Sequence, residues 1–167
     1  MRNRIPAEVV ASVLAATTVI LSLPPTNLPP WAIFVTWAGT FAAGGPTKEN
    51  LKKIWPVMPL GSFVAMIIVL LFQWTAPYFP GNAGIVSQMV IIFVLNASMM
   101  LLGRTNLFQF VPGMFFGFAS FFATFFGGWG PVAHNPFSAF VAVVVMNFLG
   151  PIYAWLNVKL SFPVKED

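Results

Sequence analysis

Long apolar runs separated by short breaks dominate the sequence. The runs cover residues 6–23, 31–43, 54–78, 85–102, 107–126 and 137–156, and proline, glycine and asparagine punctuate the breaks. A helix that crosses a bilayer needs ~20 apolar residues. Stretches such as 64–72 do not alternate as the strands of a membrane β-barrel would. The pattern therefore predicts an all-α integral membrane protein, a six-transmembrane-helix bundle that forms a single domain over residues 1–167.

Composition supports lipid as the solvent for most of the surface. Charged residues make up 7% of the chain, hydrophobic residues make up 58%, and the mean hydropathy is +0.84. A soluble domain typically carries ~25% charged residues. Because so few charges cannot cover a water-facing surface, most of the outside must face lipid. The chain has no cysteine, which excludes disulfides and thiolate chemistry.

The positions of the cations predict the topology. They lie before the first run (Arg2, Arg4), between the second and third (Lys48, Lys52, Lys53), between the fourth and fifth (Arg104) and after the sixth (Lys159, Lys165). The loops at 24–30, 76–84 and 127–136 contain neither lysine nor arginine. Six spans with both termini in the cytoplasm place every cation on one face, as the positive-inside rule requires. This topology explains the net charge of +4 without a nucleic-acid partner.

Two further features bear on the spans. A signal peptide over 1–23 is the alternative for the first run, but no small-x-small cleavage site precedes Pro24, so we expect a permanent span. Tryptophans gather near the predicted interfaces, as in an aromatic belt. Those on the outer side are Trp31, Trp74 and Trp129, and those on the inner side are Trp55 and Trp155. Trp37 falls in the middle of the second span.

The two halves of the chain share a pattern. Thr-Asn-Leu precedes the second span at 26–28 and the fifth at 105–107, and the spans end in TFAAGGP at 40–46 and TFFGGWGP at 124–131. The second span is short, and Pro112-Gly113 is expected to interrupt the fifth. The pattern predicts a 3+3 inverted repeat of residues 6–78 and 85–156 with short or broken second and fifth helices, an arrangement found in transporters. Chance likeness between two apolar segments is the alternative.

Groups that could carry chemistry are scarce. Glu8 lies in the first turn of the first span, where it suits the helix dipole, and a gating role is the alternative. His134 precedes Asn135-Pro136, an expected N-cap and N1 pair, so we expect a solvated loop histidine with pH sensing as the alternative. One histidine without thiols or nearby carboxylates makes no metal site. We predict neither an enzyme nor a cofactor.

Neutral polar and aromatic side chains within or beside the spans are the candidates for a pore or substrate pathway. They are Trp37, Thr40, Asn96, Gln109, Thr124 and Asn147. An unpaired amide in hydrocarbon costs several kcal/mol. Asn96 and Asn147 should therefore face the protein interior or water. Hydrogen bonds that only hold helices together are the alternative role.

The fifth span carries nine phenylalanines opposite a stripe of small residues, Gly113, Gly117, Ser120 and Thr124. The Gly113–Gly117 pair is a GxxxG spacing, which allows close helix contact. We expect helix packing on the small face and phenylalanine towards lipid or a neighbouring subunit. The alternative places some phenylalanines, with Trp37, in an apolar constriction that rejects hydrated ions. Self-association that buries the stripe predicts a homo-oligomer.

Two stretches carry a resemblance to known proteins. Residues 31–34 continuing to 41–45, with FVPGMFFG at 110–117, are similar to the YcdZ-like family of small bacterial inner-membrane proteins, a domain-of-unknown-function family. The resemblance implies a location in the bacterial inner (cytoplasmic) membrane and no particular activity. In size and span number alone, the chain also resembles the urea and amide channels.

Three functions follow as hypotheses. The first is a membrane channel or facilitator for a small uncharged polar solute such as urea, an amide or an alcohol, because the spans are neutral and aromatic. The second is a secondary carrier for a small metabolite that couples through Glu8 or through groups at an oligomer interface. The third is a non-transporting accessory subunit of a membrane complex. The expected partners are the lipid bilayer, a small solute and further copies of the chain.

Overall fold

A computed structural model describes residues 5–161, and this part of the chain forms six α-helices. They are α1 (Ala7–Leu21), α2 (Pro30–Ala42), α3 (Lys48–Thr75), α4 (Asn82–Leu102), α5 (Val111–Phe126) and α6 (Pro136–Leu160). Within residues 5–161 the one β-type pairing is an isolated bridge between Ile5 and Ser161. The predicted all-helical architecture is confirmed.

Three of the helices are long and apolar enough to cross a membrane. They are α3, α4 and α6, with 28, 21 and 25 residues. The other three, α1, α2 and α5, have 15, 13 and 16 residues. At ~1.5 Å per residue the shorter helices reach ~20–24 Å, against a hydrocarbon core of ~30 Å. The long apolar helices indicate a membrane protein.

The starts of α3 and α5 differ most from the predicted ones. Helix α3 begins at Lys48, six residues before the apolar run, because the Thr47 hydroxyl accepts a hydrogen bond from the Asn50 backbone N–H at 3.2 Å and caps the helix. Helix α5 begins at Val111, so the predicted interruption at Pro112-Gly113 is wrong. Pro112 lies in the first turn, where its missing N–H is not needed. The fifth helix is therefore short but not broken.

The helices form a core of four with two at the edge. Helices α2, α3, α5 and α6 contact one another, and the most extensive contacts are α3 with α5 and α2 with α6. Helix α1 packs mainly on α6, and α4 packs on α3. Met99 is the one buried residue of α4, which otherwise presents its surface outward.

Side-chain contacts give the helix directions. Trp55 stacks on Phe148 with ring centroids 6.1 Å apart, and Phe63 lies 6.2 Å from Phe140, so α3 and α6 are antiparallel.

Two other pairs are parallel. Val57 contacts Gly113 and Ala65 lies in one cluster with Phe121, so α3 and α5 run the same way. Helices α2 and α6 are also parallel. Ile33 of α2 lies against Gly150 of α6, and Trp37, one turn later, lies 5.8 Å from Tyr153, which is also further along α6. Helices α3 and α5 therefore run opposite to α2 and α6.

The bundle has two chemically different ends. The Ile5–Ser161 bridge joins the start of α1 to the end of α6. A cavity that Lys48 and Trp155 both line brings the start of α3 to the same end. At the other end Trp31 packs edge-on against Trp129 with ring centroids 4.7 Å apart.

The described cations gather at the first end. Lys48, Lys52 and Lys53 begin α3, and Lys159 ends α6. Arg104 follows α4, whose C-cap Gly103 contacts Val111 at the start of α5. The remaining cations, Arg2, Arg4 and Lys165, lie outside the described residues.

Candidate functional site

Glycines bring the core helices into backbone contact. Gly61 of α3 lies against the Met114 carbonyl of α5, and Gly117 of α5 lies against the Met58 carbonyl of α3. On the other side of the bundle Gly150 of α6 lies against α2. A methyl group at any of these glycines would overlap its neighbour. Core packing therefore depends on small residues, as is usual between membrane helices.

The predicted small-residue stripe packs inside the chain. Gly113, Gly117 and Ser120 are all buried, and the two glycines contact α3. The Ser62 hydroxyl on α3 also donates to the Gly117 carbonyl at 3.0 Å. The expectation that self-association buries the stripe is wrong because α3 already covers it. A homo-oligomer stays a prediction without this support.

The phenylalanines of α5 divide between two environments. Phe121 and Phe125 are buried in a cluster with Met66 and other residues of α3, whereas Phe115 and Phe126 are exposed. The expectation that phenylalanine faces outward therefore holds for only part of the helix.

The buried threonines satisfy their hydroxyls within their own helices. The Thr40 hydroxyl donates to the Thr36 carbonyl at 2.7 Å, and the Thr124 hydroxyl donates to the Ser120 carbonyl at 2.7 Å. Both side chains are fully buried. A threonine that is bonded back in this way does not require a further partner.

Asn147 differs from these threonines. Its side chain is 1% exposed, and neither its amide nitrogen nor its amide oxygen has a hydrogen-bond partner among residues 5–161. The hydroxyl of Ser120, also 1% exposed, is likewise unpartnered in that part of the chain. Burial of a polar group without a partner costs ~1–3 kcal/mol by protein mutational data. The core therefore holds an amide and a hydroxyl that are buried without a partner among residues 5–161.

The other pathway candidates are dispersed. Trp37 is buried between Phe34 and Tyr153. Asn96 is half-buried on the peripheral helix α4, and its nitrogen lies 3.9 Å from the Met100 sulfur. Gln109 is exposed in the loop before α5. The structure thus brings Trp37, Thr40, Thr124 and Asn147 into the four-helix core and places Asn96 and Gln109 outside it.

The two gating candidates lie at opposite ends. Glu8 is exposed in the first turn of α1, at the cationic end. His134 is exposed in the loop before α6, and its Nδ1 lies 3.1 Å from the Phe125 carbonyl oxygen. The predicted cap is present beside it, because Asn135 accepts a hydrogen bond from the Ser138 backbone N–H at 2.9 Å. No group of three metal-binding side chains occurs within residues 5–161.

Among the cavities within residues 5–161, three lie at the rim of the bundle, and none of these three is lined by a predicted pathway residue. One of about 560 Å³ lies between the end of α3 and the start of α4. A second, of about 280 Å³, is lined by Gln73, Gln88 and aromatic residues that include Phe125. The third, of about 270 Å³, lies between α3 and α6 and includes Lys48 and Trp155. The sequence pattern does not indicate these cavities, because each joins residues of different helices.

The helices define an all-α protein in which three helices are long and apolar enough to cross a membrane. The chain belongs to the family described as Protein of unknown function (DUF1097), whose family model matches residues 8–161. No curated protein and no solved structure matches the chain. The prediction of a family of unknown function is thereby confirmed. The narrower likeness to YcdZ-like proteins and to urea channels stays a prediction.

Proposed function

We propose that the protein is a membrane channel or facilitator for a small uncharged polar solute, such as urea, an amide or an alcohol. The amide of Asn147, which is buried in the four-helix core and has no partner among residues 5–161, is the observation that carries the proposal. An amide offers both donors and an acceptor, which suits a solute with the same groups. A passing solute or water molecule would supply the hydrogen bonds that residues 5–161 do not.

The neutrality of the core favours uncharged cargo. In the part of the chain that the structure describes, every polar side chain buried within a helix is a hydroxyl or the Asn147 amide. An ion that entered would lose its hydration shell without gaining a charged partner, which is very unfavourable in a low-dielectric interior. Backbone contacts at Gly61, Gly117 and Gly150 leave little width between helices, so the solute must be small.

The proposal includes six crossings with both termini in the cytoplasm. Alternating helix directions in the core and the collection of all described cations at one end support it. By the positive-inside rule that end would face the cytoplasm. The short helices α1, α2 and α5 would cross with their ends extended by loops or within a locally thinned bilayer.

We also propose that the halves form an inverted repeat, and the ends of α2 and α5 support this. The Gly45 N–H donates to the Thr40 carbonyl at 2.9 Å, and the Trp129 N–H donates to the Thr124 carbonyl at 3.0 Å. The back-bonds of the two threonines, described above, also correspond. In such a repeat α1, α2 and α3 correspond to α4, α5 and α6. The contact between α2 and α6 then corresponds to the contact between α5 and α3. In the same way, the contact between α1 and α6 corresponds to the contact between α4 and α3.

Solute-driven swelling of proteoliposomes tests the function. Stopped-flow light scattering would compare urea, acetamide and glycerol in vesicles with and without protein. Asn147→Leu should slow permeation at least tenfold, whereas Asn96→Leu, an amide change on the peripheral helix, should leave it near wild type. Solute entry no faster than in empty vesicles would refute the proposal.

The accessory-subunit hypothesis has one observation in its favour. Helix α4 contacts only α3 extensively and leaves large apolar side chains such as Ile85 and Phe93 exposed. A partner protein could cover this face, although lipid satisfies it equally well. Recovery of one foreign protein in a fixed ratio after purification in mild detergent, together with failure of the swelling assay, would favour this function.

A further inference from the structure

The cavity between α3 and α6 combines a cation, tryptophans and apolar walls. Its volume is about 270 Å³. Its lining comprises Pro46, Lys48, Leu51, Trp55, Pro151, Ile152 and Trp155. It lies at the end of the bundle where the described cations gather, on a side that the solute proposal does not use. We propose that this cavity binds an anionic phospholipid through its phosphate group.

Lysines supply the charge. Lys48 is exposed and lines the cavity, and Lys52 follows one turn later on the same helix face. From the opposite wall the Lys159 ammonium lies 4.4 Å from the centre of the Trp155 ring. The neighbouring acid, Glu49, does not line the cavity. A phosphate at this mouth would therefore be attracted from two helices.

The walls below the cation suit the remainder of a lipid. Leu51, Pro151 and Ile152 are apolar. Trp155 and Ile152 are 43% and 41% exposed, so the cavity opens on the outer surface of α6. Tryptophan at the boundary between headgroups and hydrocarbon is typical of membrane proteins.

One enclosed donor also points to a ligand. The indole N–H of Trp55, which lines the cavity, has no acceptor within residues 5–161. An ester or phosphate oxygen of a bound lipid would supply that acceptor.

A phospholipid fits these walls better than a free anion does. Inorganic phosphate would gain from the lysines but nothing from the apolar lining, whereas a phospholipid places its phosphate directly above hydrocarbon. A zwitterionic headgroup would bring its own cation towards Lys48 and lose part of the attraction. Basic cavities between transmembrane helices are known to bind anionic headgroups in this way.

Binding of lipids to the full chain in neutral detergent tests the proposal. Phosphatidylglycerol, phosphatidylcholine and inorganic phosphate would each be titrated, with thermal stability as the readout. Lys48→Gln should weaken phosphatidylglycerol binding about fivefold, the effect expected for one lysine near an anionic surface. Lys53→Gln removes an equal charge from the same helix outside the cavity and should change binding less than twofold. Lys48→Arg should retain it.

A second measurement reports location and does not depend on stability. Phosphatidylglycerol with brominated acyl chains should quench tryptophan fluorescence. Trp155→Phe should remove more of that quenching than Trp74→Phe, which alters an exposed tryptophan at the far end of α3. Equal losses in the two variants would overturn the proposal.

Three other outcomes would also overturn it. Equal weakening by the Lys48 and Lys53 variants would mean a general surface charge effect. An equal response to inorganic phosphate would mean a free-anion site, and an equal response to phosphatidylcholine would mean ordinary lipid solvation.

Discussion

Replacement of Asn147 by leucine separates the two roles that remain for this side chain. Leucine has the same number of side-chain heavy atoms with the same branching, so the substitution removes the buried amide without leaving a void. If Asn147 serves the solute pathway, the change should stabilise the protein while it slows permeation. If Asn147 only holds helices together through hydrogen bonds, the change should destabilise the protein.

The structure sets the size of the effect. Two amide atoms of Asn147 are buried without partners among residues 5–161, and each such polar group costs ~1–3 kcal/mol. Water that enters the pathway recovers part of this cost. Leucine is also a better helix former than asparagine by a few tenths of a kcal/mol. We therefore expect Asn147→Leu to raise the free energy of unfolding by about 2 kcal/mol, or about thirtyfold in the folding equilibrium.

Titration with sodium dodecyl sulfate in mixed micelles, followed by far-ultraviolet circular dichroism, would measure this difference. Asn96→Leu is the control for a smaller effect, because the Asn96 side chain is half-buried and only its oxygen is enclosed without a partner among residues 5–161. The free energy of unfolding should rise less in this variant than in Asn147→Leu. A loss of stability in Asn147→Leu, with unchanged permeation, would refute the reasoning.

Three other predictions follow from the packing, the charges and the topology. Gly117→Ala drives a methyl group into the Met58 carbonyl, an overlap that should cost about 3 kcal/mol, whereas the better helix propensity of alanine returns only about 1 kcal/mol. Detergent unfolding should therefore show that the free energy of unfolding falls by about 2 kcal/mol. A variant as stable as wild type would contradict the close contact. Glu8→Gln should leave uptake unchanged, since Glu8 is exposed at the end of the bundle, and abolished gradient-driven uptake would instead favour the carrier. In this cysteine-free chain, an impermeant maleimide should label Lys53→Cys only from the cytoplasm and Ala133→Cys only from outside, and the opposite pattern would overturn the topology.

Hydropathy located the helices well but misplaced the starts of α3 and α5. It identified all six, yet missed the first turns of α3, because the Thr47 cap and the lysines continue the helix beyond the apolar run. The predicted break at Pro112 was wrong for a related reason, because a proline in the sequence is compatible both with a kink inside a helix and with the first turn of one. Both errors concern local capping geometry.

The sequence alone could indicate a lipid environment and a polarity for the protein. A charged fraction of 7% favours a surface that faces lipid, and the distribution of lysine and arginine along the chain predicts one cationic end. The first property depends only on composition and the second only on the positions of the cations along the chain. Neither requires knowledge of which helices contact each other. Tertiary structure decided the rest. Helix α3 covers the glycine stripe, and Lys48 and Trp155 line one cavity. Thr40 and Thr124 have hydrogen-bond partners, whereas Asn147 has none among residues 5–161. A hydrogen bond or a cavity depends on two faces coming together, and the pattern within one helix cannot specify its neighbour.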